Sequence, residues 1–99
     1  VLVYVANWPS RRHFAWQTLL RARAIENLSY CVGVNRVGVD GNELPYAGGS
    51  AIIDYLGQDL ADLGGSAGAA TAVLDLEQLA AFRDRFAFHK DADRFTLDI

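Results

Sequence analysis

The sequence predicts a mixed α/β fold built on a parallel β-α-β unit, and three observations predict it. Residues 1–6 form a near-continuous apolar, β-branched run; residues 12–28 carry apolar side chains at helical spacing; residues 30–35 form a second apolar run. Apolar runs without alternation read as strands covered on both faces, because a strand with one wet face alternates. Two such strands joined by a helix of this length run parallel, since only a long crossover returns the chain to the same end of the sheet.

The first strand, residues 1–6, is expected inside a sheet. Pro9 and Ser10 end it. The helix follows over residues 12–28, with Trp16, Leu19, Leu20, Ala24, Ile25 and Leu28 on its apolar stripe. Residues 30–35 are the second strand. Asp40-Gly41-Asn42 marks a polar loop, Ala51-Ile52-Ile53-Asp54 a strand and Leu56-Gly57 a turn, after which a further short strand is expected. Gly64-Gly65-Ser66-Ala67-Gly68 is a flexible surface turn, residues 71–76 read as a strand, and Leu76 opens a short amphipathic helix that runs past Arg83. Without that further short strand, the expected order is βαβββα followed by a tail. That tail, residues 86–99, mixes aromatic side chains with Asp91, Asp93 and Asp98 without a period and is expected to lie against another element.

Ninety-nine residues, 52% hydrophobic and 21% charged, make one globular domain at most. So short a chain buries a small fraction of its surface, and an apolar face left without a neighbour matters to its stability. The net charge of −3 gives no global attraction to nucleic acid or to an anionic membrane. No apolar run is long enough to span a bilayer. Cys31 stands alone, which excludes an internal disulfide and points to a reducing compartment, the cytoplasm.

In an open α/β sheet, ligands gather beyond the carboxyl ends of the parallel strands. Asn7-Trp8-Pro9-Ser10-Arg11-Arg12-His13 occupies that place after the first strand. Two arginines at a helix N-terminus oppose the macrodipole at a cost of about 0.3–1 kcal/mol, which hints at an anion nearby; solvated arginines on a loop are the plainer reading. Trp8 fits a pocket wall or a core filler equally well. Cys31 lies between Tyr30 and Val32 in an apolar strand and reads as a small core residue rather than a nucleophile, despite His13 and His89. One cysteine and two scattered histidines make no zinc signature, Asp91 and Asp93 read as a solvated acidic terminus, and neither a metal nor a cofactor is expected.

Tyr4-Val5-Ala6-Asn7-Trp8-Pro9, Ala22-Arg23-Ala24-Ile25-Glu26-Asn27, Asn35-Arg36-Val37-Gly38, Asp40-Gly41-Asn42, Gly48, Ser50, Ile53-Asp54 and Leu56-Gly57 stand in an order that resembles the carboxy-terminal region of the carbon-nitrogen hydrolases of the nitrilase superfamily, in their omega-amidase-like branch. The resemblance runs through nearly the whole chain and lacks character only over residues 64–70. Gly49, where such proteins often carry a polar residue, and Tyr55, where proline is common, depart from it. The resemblance implies the second half of an α-β-β-α sandwich, so that residues 1–99 would be the carboxy-terminal part of one domain whose amino-terminal part is absent. It implies hydrolysis of omega-amides of dicarboxylic acids through a cysteine nucleophile, a glutamate base and a lysine, all upstream of this chain, with no catalytic residue here. Cys31, Glu26 and Lys90 do not match those positions; Glu26 looks structural, paired with Arg23. What the chain would contribute is a pocket wall for the small-molecule amide: Asn7, Trp8, and Arg11 or Arg12 near the substrate carboxylate. A homodimer is implied for the parent, and the alternative is a non-catalytic interaction or dimerisation remnant of the same fold.

Overall fold

A computed structural model describes all residues, Val1–Ile99. The predicted α/β class holds. Strand β1 (Leu2–Ala6) leads through a 3₁₀ turn (Ser10–Arg12) into helix α1 (His13–Glu26), and β2 (Cys31–Asn35) returns beside β1 in parallel, with Leu2 opposite Cys31 and Ala6 opposite Asn35. Strand β5 (Ala51–Ile53) pairs antiparallel with β2, and β6 (Asp59–Asp62) with β5, giving a four-stranded sheet in the order β1-β2-β5-β6. Between them, β3 (Val37–Val39) and β4 (Pro45–Ala47) form a separate hairpin. Helix α2 (Leu76–Arg85) and a 3₁₀ turn (Phe88–Asp91) complete the chain. No helix is long and apolar enough to cross a membrane.

The core lies on one face of the sheet only. Trp16, Leu20 and Ala24, four residues apart along α1, pack on Cys31, Ala51 and Ile53, with Leu2, Ala6 and Trp8 at the margin. Gly33 permits this approach: a Cβ there would fall 2.4 Å from one methyl of Leu20. Leu19 and Ile25, expected on the same stripe, are instead exposed, because the buried face follows the i, i+4 ridge through Trp16 and leaves them on the flank.

The helix ends at Glu26, two residues before Leu28, in a left-handed cap. The Ser29 N–H donates to the Ala24 carbonyl (3.0 Å) and the Leu28 N–H to that of Ile25 (3.2 Å), the pattern in which glycine usually occupies the position of Leu28. Leu28, at φ 46°, pays a strain of about 1–2 kcal/mol in that conformation. Its side chain is buried, and truncating a buried leucine costs about 2–5 kcal/mol, so packing outweighs strain. Its carbonyl accepts from Nε of Arg83 (2.8 Å), while Nη2 of Arg83 donates to Ser29 Oγ (2.9 Å). The cation at the carboxyl end of α1 complements the helix dipole and ties α2 to it. Tyr55, Phe82 and Phe86 extend the attachment in an aromatic chain from Tyr30, with successive ring centroids 5.5, 4.6 and 4.9 Å apart.

Three expectations change. The order is βαβββββα, because three-residue strands flank the Asp40-Gly41-Asn42 loop. Residues 71–76 form no strand: no neighbouring strand pairs with them, Val73 is 91% exposed, and Asp75 caps α2 by accepting from the Gln78 N–H (2.9 Å). Strand β1 is not covered on both faces. It pairs with β2 alone, and Val3 and Val5, on the side away from α1, are 61% and 81% exposed. With Val34 they leave an open apolar face on the sheet, and β1 an open edge.

The hairpin is organised by Asp40, whose Oδ1 accepts from the N–H groups of Asn42 (2.8 Å) and Leu44 (3.0 Å), and whose Oδ2 accepts from the Tyr46 hydroxyl (2.9 Å). The Leu44 N–H and then the Tyr46 hydroxyl hold the carboxyl below its ordinary pKa, and the same bond raises the Tyr46 phenol. A depressed carboxyl pKa contributes stability that is present above the unfolded value, about 3.9, and disappears as pH falls through the folded one. The Tyr46 ring resonances, followed by NMR, are therefore expected to keep their native shifts through the ordinary aspartate range and to lose them only in stronger acid; loss of order at or above the ordinary value contradicts this. The open face leads to a second expectation: these 99 residues, prepared alone, associate instead of remaining monomeric, since unpaired edges and large apolar patches recruit other chains. Sedimentation checks it, and a monodisperse monomer with cooperative unfolding is the contrary result.

Candidate functional site

The segment that follows β1 is held by linked contacts that meet at Trp8. At the carboxyl end of β2, Oδ1 of Asn35 accepts from the Trp8 N–H (2.7 Å), while its Nδ2 donates to the carbonyls of Trp8 (3.0 Å) and Gly48 (2.8 Å). The side-chain amide thus pairs with a backbone peptide as a further rung of the ladder would. The Trp8 indole then reaches forward, Nε1 donating to the Arg12 carbonyl (2.7 Å), and so closes the loop onto the 3₁₀ turn. The Trp8 ring lies tilted against Trp16, with centroids 5.8 Å apart. Trp16 is anchored in turn by Nε1 donating to the Gly49 carbonyl (2.9 Å).

Gly48 and Gly49 bring the turn after β4 up to this loop. Gly49 has φ 74°, and a Cβ on it would lie 2.6 Å from Cε1 of His13 and 3.3 Å from Cδ1 of Trp16. The departure at position 49 noted in the sequence has a physical reading: here backbone packs directly on the first residue of α1, where a side chain would displace the histidine. Ser50 completes the junction, its Oγ accepting from the Asn35 N–H (2.9 Å) and donating to the Asn35 carbonyl (3.1 Å).

Of the four residues singled out in the sequence, Trp8 is half-buried and Asn7, Arg11 and Arg12 are exposed. Arg11 and Arg12 both lie in the 3₁₀ turn, with Arg12 at the N-cap position of α1, and the first turn of that helix contains no acidic residue. The chain's two ion pairs, Arg21 with Asp59 and Arg23 with Glu26, leave both guanidinium groups out. The pairing of Glu26 with Arg23 agrees with its structural reading. Strand β4 packs beside the turn and brings Tyr46 with it, the ring lying 4.6 Å from the Arg36 guanidinium carbon.

Two cavities are present. The larger, about 430 Å³, opens on the sheet face away from α1 between Val32, Val34, Ile52 and residues 66–70, and none of Asn7, Trp8, Arg11 or Arg12 lines it. A smaller one, about 150 Å³, lies between Trp8, Trp16, Tyr4, Leu19, Leu20 and Arg23. Trp8 lines that smaller cavity and packs at the margin of the core. Cys31 is fully buried between β1 and β5, and burial pushes its thiol pKa up, the opposite of what a nucleophile requires. No group of His, Cys, Asp and Glu side chains is placed to hold a metal ion. Asn35 is the residue that sequence reasoning missed; the signal available was a polar amide closing an otherwise apolar strand, where a buried polar group must have partners.

The family model for carbon-nitrogen hydrolases matches residues 1–84. Omega-amidase YafV of Yersinia enterocolitica is 51% identical over 96 residues, covering 96% of this chain and 38% of that protein. The protein of the same name from Escherichia coli strain K12 is 45% identical, with the same shares covered. Among solved structures, a CN-hydrolase superfamily protein from Xanthomonas campestris superposes with a TM-score of 0.89 at 49% identity, covering 98% of this chain and 37% of that one. The chain thus spans little more than a third of the length of these relatives. With the β-α-β unit, the α1-covered sheet and the family model in agreement over most of its length, the chain belongs to the carbon-nitrogen hydrolase family.

Proposed function

We propose that these residues are the carboxy-terminal part of an amidase acting on omega-amides of dicarboxylic acids, and that they supply one wall of its substrate pocket. The observation that carries the reading is the pair Arg11 and Arg12, exposed and outside every ion pair, at the carboxyl end of β1 and the N-terminus of α1. Two cations at the positive end of a helix are unfavourable unless an anion joins them. An omega-amide carries a carboxylate at the end opposite its scissile bond, and guanidinium meets carboxylate through two parallel hydrogen bonds. The omega-amidase names of the similar proteins support the substrate class.

On this reading the reacting groups lie upstream, as the family resemblance implies. A cysteine thiolate attacks the amide carbon, a glutamate moves the proton, and a lysine stabilises the tetrahedral oxyanion. Ammonia leaves, and water hydrolyses the thioester to the acid. Cys31, Glu26 and Lys90 take no part: the first is sealed in the core, the second is paired with Arg23, and the third stands exposed in the last 3₁₀ turn. Trp8 and Asn7 border the substrate, and Arg11 or Arg12 holds its distal end. A second copy of the parent covers the outer side of α1, where Phe14, Leu19 and Ile25 are exposed. A lone reduced Cys31 suits the cytoplasm.

Two measurements test this. Prepared alone, the chain is expected to release no ammonia from a panel of omega-amides; activity that disappears in Cys31→Ala would overturn the assignment of that cysteine to the core. In the full-length enzyme, Arg11→Ala or Arg12→Ala is expected to lower kcat/KM for an acidic omega-amide by about one to two orders of magnitude, the worth of one charge-assisted contact. Unchanged values in both variants contradict the carboxylate wall.

A further inference from the structure

We propose that Asn35 is a positioning residue for substrate selection: its side-chain amide fixes the peptide of Trp8 and, through it, the turn that carries Arg11 and Arg12. The inference rests on the reading of that turn as the carboxylate wall. Asn35 touches no reacting atom in this account and acts only through the loop.

The geometry leaves the amide one orientation. Oδ1 faces the Trp8 N–H, and the two Nδ2 hydrogens face two carbonyls, those of Trp8 and Gly48. Turning the amide over would set nitrogen against N–H and oxygen against both carbonyls. The side chain cannot drift to solvent either, since the residue is only 7% exposed and its own backbone N–H and C=O are both bonded to Ser50 Oγ. From Trp8 the restraint passes along the loop. The indole of Trp8 holds the Arg12 carbonyl (2.7 Å), and the Arg12 N–H is held by the Pro9 carbonyl (2.9 Å), so the arginine turn is closed at Arg12 onto Trp8, the residue that Asn35 grips, and onto its neighbour Pro9. Because Nδ2 also holds Gly48, the same side chain sets the distance from the loop to the glycine turn against which His13 and Trp16 pack.

Aspartate has the same shape and keeps the acceptor for the Trp8 N–H, but it replaces both donors with an oxygen facing two carbonyls. Asn35→Asp should therefore shift the loop while leaving the strand apolar face and its packing unchanged. Serine keeps a neutral hydroxyl too short to span the gap. In the full-length amidase, kcat/KM is measured for an acidic omega-amide and for a neutral amide of the same length without the carboxylate, in wild type, Asn35→Asp, Asn35→Ser, Arg11→Ala and Arg12→Ala. The expected result is a fall of about tenfold or more in the acidic-to-neutral ratio in both Asn35 variants, because small misplacements of a positioning contact cost one to two orders of magnitude. An asparagine that only stabilised the fold would lower both rates alike, and the ratio, being independent of how much of a preparation is folded, would not move. An unchanged ratio in the Asn35 variants, with a fall in an arginine variant, overturns the positioning role and leaves the carboxylate wall standing. An unchanged ratio in all four variants overturns both.

Discussion

The contact on which the rest of this structure depends is the seat of α1 on one face of β2 and β5. Trp16, Leu20 and Ala24 can meet Cys31, Ala51 and Ile53 only because Gly33 offers no Cβ beneath Leu20. That close approach sets the height of the helix above the sheet, and the height places the helix N-terminus. Trp16 links the two consequences directly, burying its ring in the core while its Nε1 reaches the Gly49 carbonyl. The loop after β1 then has little freedom, enclosed by the Trp16 ring on one side and by the Asn35 amide on the other. A packed helix and a buried amide together turn a loop, ordinarily the most mobile part of a fold, into a defined surface.

The other side of the sheet is the counterpart of this arrangement. Val3, Val5 and Val34 point away from α1 and remain exposed in the chain. In an α-β-β-α sandwich that face belongs against a second sheet, and the apolar continuity of β1 is intelligible as the sequence of a strand suited to both layers. The solved relative of which this chain covers 37% superposes on it closely, so the one-sided core is a property of these residues as a part of that architecture rather than a distortion of it.

Much of this was legible in the sequence, and the reasons are local. Residues 1–6 and 30–35 announce strands because their apolar side chains are continuous, and α1 announces itself through the spacing of Trp16, Leu20 and Ala24. The hairpin at Val37–Val39 and Pro45–Ala47 was hidden because three-residue strands carry too little pattern, although the loop between them was visible in Asp40-Gly41-Asn42. Residues 71–76 misled for the opposite reason: Thr71, Val73 and Leu74 favour a strand, but strand formation needs a neighbour, and the Asp75 carboxylate serves a helix cap instead. The placement of Asn7, Trp8, Arg11 and Arg12 beyond the first strand followed from the β-α-β reading alone. The role of Asn35 did not, because its partner is 27 residues away and no periodicity records a bond from a side chain to a distant backbone peptide.

The role proposed for the arginine turn is to receive a substrate carboxylate. It is tested most directly by the crystal structure of the full-length enzyme, inactivated at its nucleophile, with an acidic omega-amide bound. The guanidinium of Arg11 or Arg12 is expected to lie within hydrogen-bonding distance, about 2.7–2.9 Å, of the distal carboxylate oxygens, with the Asn35 bonds to Trp8 and Gly48 intact. A carboxylate bound by other residues, with both arginines still in solvent, contradicts it.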